Sequence, residues 1–257
     1  MAEIDVLIEN AIAVVTLNRA AKRNAMTLAM WRDVARIFAE LGGDDLVRAV
    51  LLTGAGDDFS VGADVAEFDR VRGDVAQSVA YEEAVDAASH AIAAIPKPTI
   101  AVIAGYCLGG GCHLALACDF RFAGLSASFG IPAARLSIVY GLASTQRLYA
   151  LVGLTQAKRI LFSGQRFDAA AAVDIGFADA KADDPMQAAR GFAGKLVENA
   201  PLSIAGAKFM LNGLAAGLGA LDREGVQAVI DRASASADYA EGRRAFAEKR
   251  NPIFAGR

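Results

Sequence analysis

The chain has 257 residues, enough for a sizeable core, and its 54% apolar content with a mean hydropathy of +0.34 excludes a disordered protein. A net charge of −3, a pI of about 5.5 and Lys and Arg residues scattered along the chain speak against a nucleic-acid binder, which normally carries a basic excess or stripe.

The first residues, Met1-Ala2-Glu3-Ile4-Asp5, are acidic and lack the basic-then-apolar layout of a signal peptide, so a cytoplasmic protein is expected. Cys107, Cys112 and Cys118 form no CxxC pair and share one apolar stretch, which suits buried reduced thiols rather than a metal or redox centre. Ile4–Glu9 and Ile12–Leu17 read as two short strands separated by Asn10. Thr27 is placed to cap a helix through Leu41, with Leu28, Trp31, Val34, Phe38 and Leu41 on one face, and Gly42-Gly43 ends it. Val47–Thr53 is predicted as a buried strand, and a helix should run from about Val75 to Ile95, where Pro96 and Pro98 stop it. His90 on this helix is read as structural.

From Thr99 to Cys118 there is no Asp, Glu, Lys or Arg, so a hydropathy scan would flag a membrane span. Pro96 and Pro98 at its start and Gly109-Gly110-Gly111 in its middle argue instead for a buried strand, a glycine turn and a buried helix. A strand at Phe120–Ala123 follows. From about Ser144 the pattern is almost wholly helical, with breaks at Gly153, Gly164, Gly176, Pro185 and Pro201. An α/β core over residues 1–195 and a helical region over residues 196–257 are therefore expected, with no flexible linker and no regular internal repeat.

Two loops place glycine after a strand: Phe59-Ser60-Val61-Gly62-Ala63-Asp64 and Gly105-Tyr106-Cys107-Leu108-Gly109-Gly110-Gly111-Cys112-His113. Glycine permits close backbone approach and positive φ, and a glycine run at a helix start presents free N–H groups at the positive end of the helix dipole. Tight strand–helix packing would use the same residues. A dinucleotide fingerprint is disfavoured, because Gly109-x-Gly111-x-x-Leu114 lacks the third glycine and Asp119 follows too soon.

The loops, with three further blocks, resemble the crotonase (enoyl-CoA hydratase/isomerase) superfamily over nearly the whole chain. Leu17-Asn18-Arg19 with Arg23-Asn24-Ala25-Met26 is similar to the family's N-terminal signature, and Phe59–Asp64 to its F-x-x-G-A-D loop. Ile103 to Asp119 resembles its G-x-x-x-G-G-G block, Phe129 to Leu148 the block that follows, and Phe246-x-x-Lys249-Arg250 its C-terminal signature. The resemblance implies a spiral of ββα turns followed by a helical trimerisation region, assembled as a homotrimer or a dimer of trimers. It also implies an acyl-CoA substrate, and no cofactor or metal beyond the CoA thioester itself. Carried over residue by residue, the N–H groups of Ala63 and Gly110 would form an oxyanion hole. Val61 would offer its carbonyl to the adenine and Lys22 or Arg23 would lie near the CoA phosphates, with Gly62, Asp64 and Gly109 lining the same site. Phe246 and Lys249 would reach a CoA site, own or neighbouring.

Two departures bear on the reaction. Family hydratases carry one glutamate directly after the GGGx run and another in a P-E-A-[KR]-L-G segment, whereas this chain has His113 and Ala133. His113 is either a substitute base or a packed histidine. Tyr140 stands where hydratases usually have proline, and the family's methylmalonyl-CoA decarboxylases, which also lack the glutamates, carry tyrosine there. Three expectations follow: a hydratase-like lyase of the kind that serves fatty acid metabolism, a decarboxylase or other C–C-cleaving enzyme centred on Tyr140, and an acyl-CoA-binding protein without turnover.

Overall fold

The computed structural model describes residues 2–136, 138–217, 222–248 and 250–257. Strands β1 (Ile4–Glu9) and β2 (Ile12–Leu17) form a hairpin whose two-residue turn, Asn10-Ala11, holds both residues at positive φ (51° and 62°), as a type I′ connection requires. Helix α1 (Leu28–Gly43) starts where the Thr27 hydroxyl accepts the Met30 N–H at 3.1 Å, and it buries Trp31, Val34, Phe38 and Leu41. Strand β3 (Ala49–Gly54) follows, then a short helix α2 (Phe68–Val71) and the long α3 (Val75–Ala94), which is capped by Asp74.

The charge-free stretch becomes β4 (Thr99–Ile103), β5 (Tyr106–Leu108) and α4 (Gly110–Ala117). No helix among the described residues is long and apolar enough to cross a membrane. The next turn repeats the plan with β6 (Phe120–Gly124), β7 (Ser128–Gly130) and α5 (Leu142–Ser163), which kinks at Gly153 where φ is 74°. The remainder holds β8 (Phe167–Asp168), α6 (Ala169–Asp174), β9 (Ala180–Ala182), α7 (Pro185–Val197), α8 (Pro201–Ala216), α9 (Arg223–Ser234) and α10 (Ala237–Glu248). Two strands thus interrupt the region expected to be helical. Two- and three-residue strands carry no alternation of their own and exist only through their partners β7 and β6.

The main sheet runs β1-β2-β3-β4-β6-β9, parallel throughout except for the first hairpin, and the smaller sheet runs β5-β7-β8. Two successive turns of chain, β4-β5-α4 and β6-β7-α5, each lend one strand to each sheet and then a helix, which is the spiral of ββα turns. Strands buried on both faces, such as the fully buried β4, read as continuous apolar runs for that reason. The boundary expected at 195/196 falls in the last turn of α7. Beyond it α8 is tied to the core: the Lys208 ammonium donates to the Lys97 carbonyl at 3.0 Å and to Asp119 at 2.8 Å, and Asn212 donates to the Ala93 carbonyl at 3.0 Å.

The N-terminal signature acts as a brace. Buried Asn24 accepts the Arg19 N–H at 3.0 Å, and its amide donates to the Ala55 and Asp58 carbonyls at 2.9 and 2.6 Å. It stands at φ 55°, a conformation asparagine tolerates better than alanine. Asn24→Ala should strand buried polar groups, add backbone strain and lower stability by about 2 to 3 kcal/mol. Urea unfolding followed by circular dichroism measures this, and an unchanged midpoint would dismiss the brace.

Candidate active site

The two glycine loops lie against each other. A parallel bridge joins Ser60 to Cys107, with the Ser60 N–H donating to the Tyr106 carbonyl at 2.9 Å and the Leu108 N–H to the Ser60 carbonyl at 2.9 Å. A Cβ at Gly62 would fall 2.6 Å from the Gly110 nitrogen, one at Gly111 would fall 2.3 Å from the Ser60 carbonyl oxygen, and one at Gly110 would press on the Trp31 ring at 3.0 Å. Side chains at these three positions would force the loops apart. Gly62 also needs its φ of 90°. Trp31 is fixed beneath them by its N–H bond to the Tyr81 hydroxyl at 3.0 Å.

A second parallel bridge pairs Met26 with Ala63, and its bonds run from the Met26 N–H to the Gly62 carbonyl and from the Asp64 N–H to the Met26 carbonyl. The N–H of Ala63 itself is left out of that ladder. Gly62 has its own partner, donating to the Ser60 hydroxyl at 3.1 Å. Gly110 is the first residue of α4, so its N–H has no intrahelical acceptor. Among the described residues neither the Ala63 nor the Gly110 N–H meets an acceptor, and both residues are only partly buried. Gly109 precedes them at φ 50° in open space. The Gly110 N–H at the start of α4 and the Ala63 N–H on the facing loop are therefore free, among the described residues, to meet negative charge.

His113 lies on the first turn of α4, 4% exposed, edge-on to Trp31 and Tyr140. Ser144 of α5 hydrogen-bonds its Nδ1, and the Val85 main chain lies beside the ring. Burial first, and the nearby Arg147 guanidinium second, push its pKa down to about 4. It is a neutral, enclosed imidazole at pH 7, and the packed-histidine alternative describes it better than the free base. The Tyr140 hydroxyl, half-buried, lies 3.4 Å from the Gly109 carbonyl, next to the Gly110 N–H. Burial holds its phenol well above the ordinary range, opposed by the Ser144 hydroxyl beside it.

A cavity of about 440 Å³ borders Tyr140, lined by Ala133, Ile138, Val139, Leu142 and Leu161 with Thr145. Ala133 therefore leaves an apolar wall where a glutamate would stand. A larger cavity of about 670 Å³ lies between α3, α5, α8 and α9, with exposed His90 on its rim, but neither glycine loop lines it. The smaller cavity is not lined by the glycine loops either and meets the candidate site only through Tyr140. Val61 is hydrogen-bonded through its N–H to the Arg23 carbonyl at 3.1 Å, and its own carbonyl is unpartnered among the described residues. Lys22 and Arg23 are exposed at this edge. Asp64 differs from a free ligand-contacting acid: it pairs with Arg19 at 3.0 Å and accepts the Ala66 N–H at 3.1 Å, so its carboxylate shapes the loop. Phe246 falls within α10 and Lys249 lies outside the described residues. Ser60 and Ser144 carried no sequence signal, since a serine gains such roles only from the element that folds against it.

The model of the enoyl-CoA hydratase/isomerase family matches residues 7–257. The chain belongs to that family. It is 33% identical over 257 residues to the short-chain-enoyl-CoA hydratase of Clostridium acetobutylicum, covering 94% of this chain and 93% of that one. It is similar to the crystal structure of an enoyl-CoA hydratase/carnithine racemase from Magnetospirillum magneticum, with a TM-score of 0.92, 34% identity and coverage of 100% and 97%. The enoyl-CoA hydratase structure from Bacillus anthracis matches with a TM-score of 0.89, 30% identity and full coverage of both chains. The fold is the crotonase fold, as its ββα turns show.

His113 generates a pH test. Its folded pKa of about 4 lies below the ordinary 6.5, so between these values the unfolded chain binds more protons. Its contribution to stability should hold above pH 6.5 and fall away as pH drops towards 4, with a slope of at most about 1.4 kcal/mol per unit. The chain has two histidines, and His90 is exposed, so imidazole NMR resolves the pair. His113→Gln should flatten the slope; titration of the His113 ring near 6.5 would contradict the enclosed state.

Proposed function

We propose that the protein binds acyl-CoA thioesters and stabilises an enolate-like state through the N–H groups of Ala63 and Gly110. The observation that carries this is the pair of adjacent amide donors with no acceptor among the described residues, one at the start of α4 and one beside the Met26 bridge. Charge arriving on a thioester oxygen between them meets dipoles already in place, so no reorganisation is needed. The 440 Å³ apolar cavity beside Tyr140 suits the acyl part, and Val61, Lys22, Arg23, Gly62 and Gly109, on or beside the two glycine loops, would take the CoA. The thioester supplies its own electrophile, and the chemistry needs no further cofactor or metal. Membership of the family supports a lyase acting in the cytoplasm as a trimer or pair of trimers, with helices after residue 196 at the contacts.

Hydration of a short enoyl-CoA should be weak, because Ala133 cannot move a proton and His113 is sealed behind Ser144. The position of Tyr140 favours a second reading within the same site. In decarboxylation of a malonyl-type thioester, the Cα–carboxylate bond breaks and its electron pair moves into the enolate held by the two amides. Carbon dioxide leaves. The neutral Tyr140 phenol then donates its proton to Cα and recovers it from solvent.

Proline is tolerated at the first helical position, so Gly110→Pro deletes the donor while keeping α4, although its ring also presses on Trp31 and on the facing Gly62 main chain. Turnover should fall about 10²- to 10³-fold while acyl-CoA still binds. A mass-spectrometric screen of enoyl, malonyl-type and β-keto thioesters identifies the reaction to follow. Parental turnover in a folded Gly110→Pro variant would remove Gly110 from the mechanism. Tyr140→Phe should abolish most decarboxylation and spare binding. Fast crotonyl-CoA hydration by the parental protein, indifferent to His113→Ala and Tyr140→Phe, would overturn the Tyr140 reading.

A further inference from the structure

Ser144 is a buried hydroxyl that the chemistry described so far does not use. It lies in the first turn of α5, after the Gly141 cap, and none of its surface is exposed. Its Oγ hydrogen-bonds the His113 Nδ1 from α4 and stands 3.4 Å from Nε2 of the same ring. The ring is held edge-on between Trp31, at 6.3 Å between centroids, and Tyr140, at 6.0 Å. The Ser144 hydroxyl also lies beside the Tyr140 phenol. Tyr140 comes two residues before α5, and the Thr145 hydroxyl donates to its carbonyl at 3.3 Å, so phenol and serine share one short, tied segment.

The surroundings of the phenol resist loss of its proton. Its O–H donates to the Gly109 carbonyl at 3.4 Å, and a carbonyl has no proton to offer a phenolate in return. Burial opposes the phenolate most, and the Cys112 and Cys107 thiols oppose it as well. The Ser144 hydroxyl and then the Arg147 guanidinium favour it. Arg147 is already committed, donating to the Ser89 hydroxyl of α3 with Asp86 nearby. Ser144 is therefore the neighbour with a donor to turn towards the phenol oxygen.

His113 explains why that hydroxyl is available. A serine on a helix commonly turns back to the carbonyl four residues earlier, which here is that of Tyr140 itself. The Ser144 hydroxyl bonds the imidazole instead, and the Tyr140 carbonyl is served by Thr145. A fully buried serine reaches no substrate, so it is neither nucleophile nor base. We infer that Ser144, anchored by His113, is a positioning residue for Tyr140: its O–H donates to the phenolate oxygen left when Tyr140 passes its proton to the substrate Cα. This rests on the decarboxylation reading above. The phenol O–H bond breaks, the enolate electron pair forms the new C–H bond, and the phenolate keeps its own pair until solvent returns a proton. Ser144 and His113 keep their protons throughout.

The test is a double-mutant cycle on a malonyl-type CoA thioester, with product measured by mass spectrometry. A hydrogen bond to a charged partner has the size that makes Ser144→Ala lower kcat about ten- to hundredfold. KM and the calorimetric affinity for butyryl-CoA should stay at parental values. On the residual turnover of Tyr140→Phe the same change should cost almost nothing further, because no phenolate forms there. Ser144→Cys keeps the volume with a weaker donor and should also be slow, and circular dichroism checks that both variants fold. Parental kcat in both folded variants would overturn the inference and leave the Tyr140 reading standing. Equal fractional losses with and without the Tyr140 hydroxyl would also overturn it, since a structural role is additive. Failure of both variants to fold would do the same by making the hydroxyl structural. Parental turnover in Tyr140→Phe, or a parental protein that turns over no malonyl-type thioester, would overturn the Tyr140 reading itself.

Discussion

The site depends on a backbone contact: two loops from different turns of the spiral approach until the Gly62 and Gly110 main chains touch. No side chain fits between them, and the Ser60 carbonyl occupies the space a Cβ at Gly111 would need. What holds the contact is distributed around it. Trp31 supports Gly110 from α1, the Met26 bridge anchors Ala63, and Asn24 and Arg19 hold the loop after β3 and Asp64. Loosening any of these supports moves one amide relative to the other, and an electrostatic cradle loses its value when its donors are not already in place.

The polar equipment beside the loops is largely uncharged. His113 is neutral and enclosed, the Tyr140 phenol keeps its proton, and Ala133 contributes only apolar surface. In the proposed reading, fixed amide dipoles and the start of α4 would act on charge that the substrate itself develops. The exposed Arg23 and Arg166 guanidinium groups stand apart, stacked on the Tyr106 ring that opens β5, where solvent tolerates them at little desolvation cost.

Much of this was legible along the chain. Thr27 and the prolines after α3 mark helix ends through local hydrogen bonding and steric rules, and their elements appear within a residue or two of expectation. The two glycine loops were visible because close approach and positive φ restrict residue type. The repeat of ββα turns was not, since the turns share a path and not a side-chain pattern. The short strands β8 and β9 escaped for a related reason, being defined by their neighbours.

The sequence by itself determined the family and the lack of glutamates at positions 113 and 133, because each of these is a property of residues and their spacing. It left His113 poised between base and packed residue, and it showed Lys and Arg as scattered. Only the tertiary structure resolved these points. A histidine's state follows from what surrounds it, and Ser144, Val85 and Arg147 reach the ring from other helices. Arg23 and Arg166 become one cluster only after the small sheet aligns Gly130 beside Arg166, since Coulomb and stacking forces act across space and are indifferent to distance along the chain.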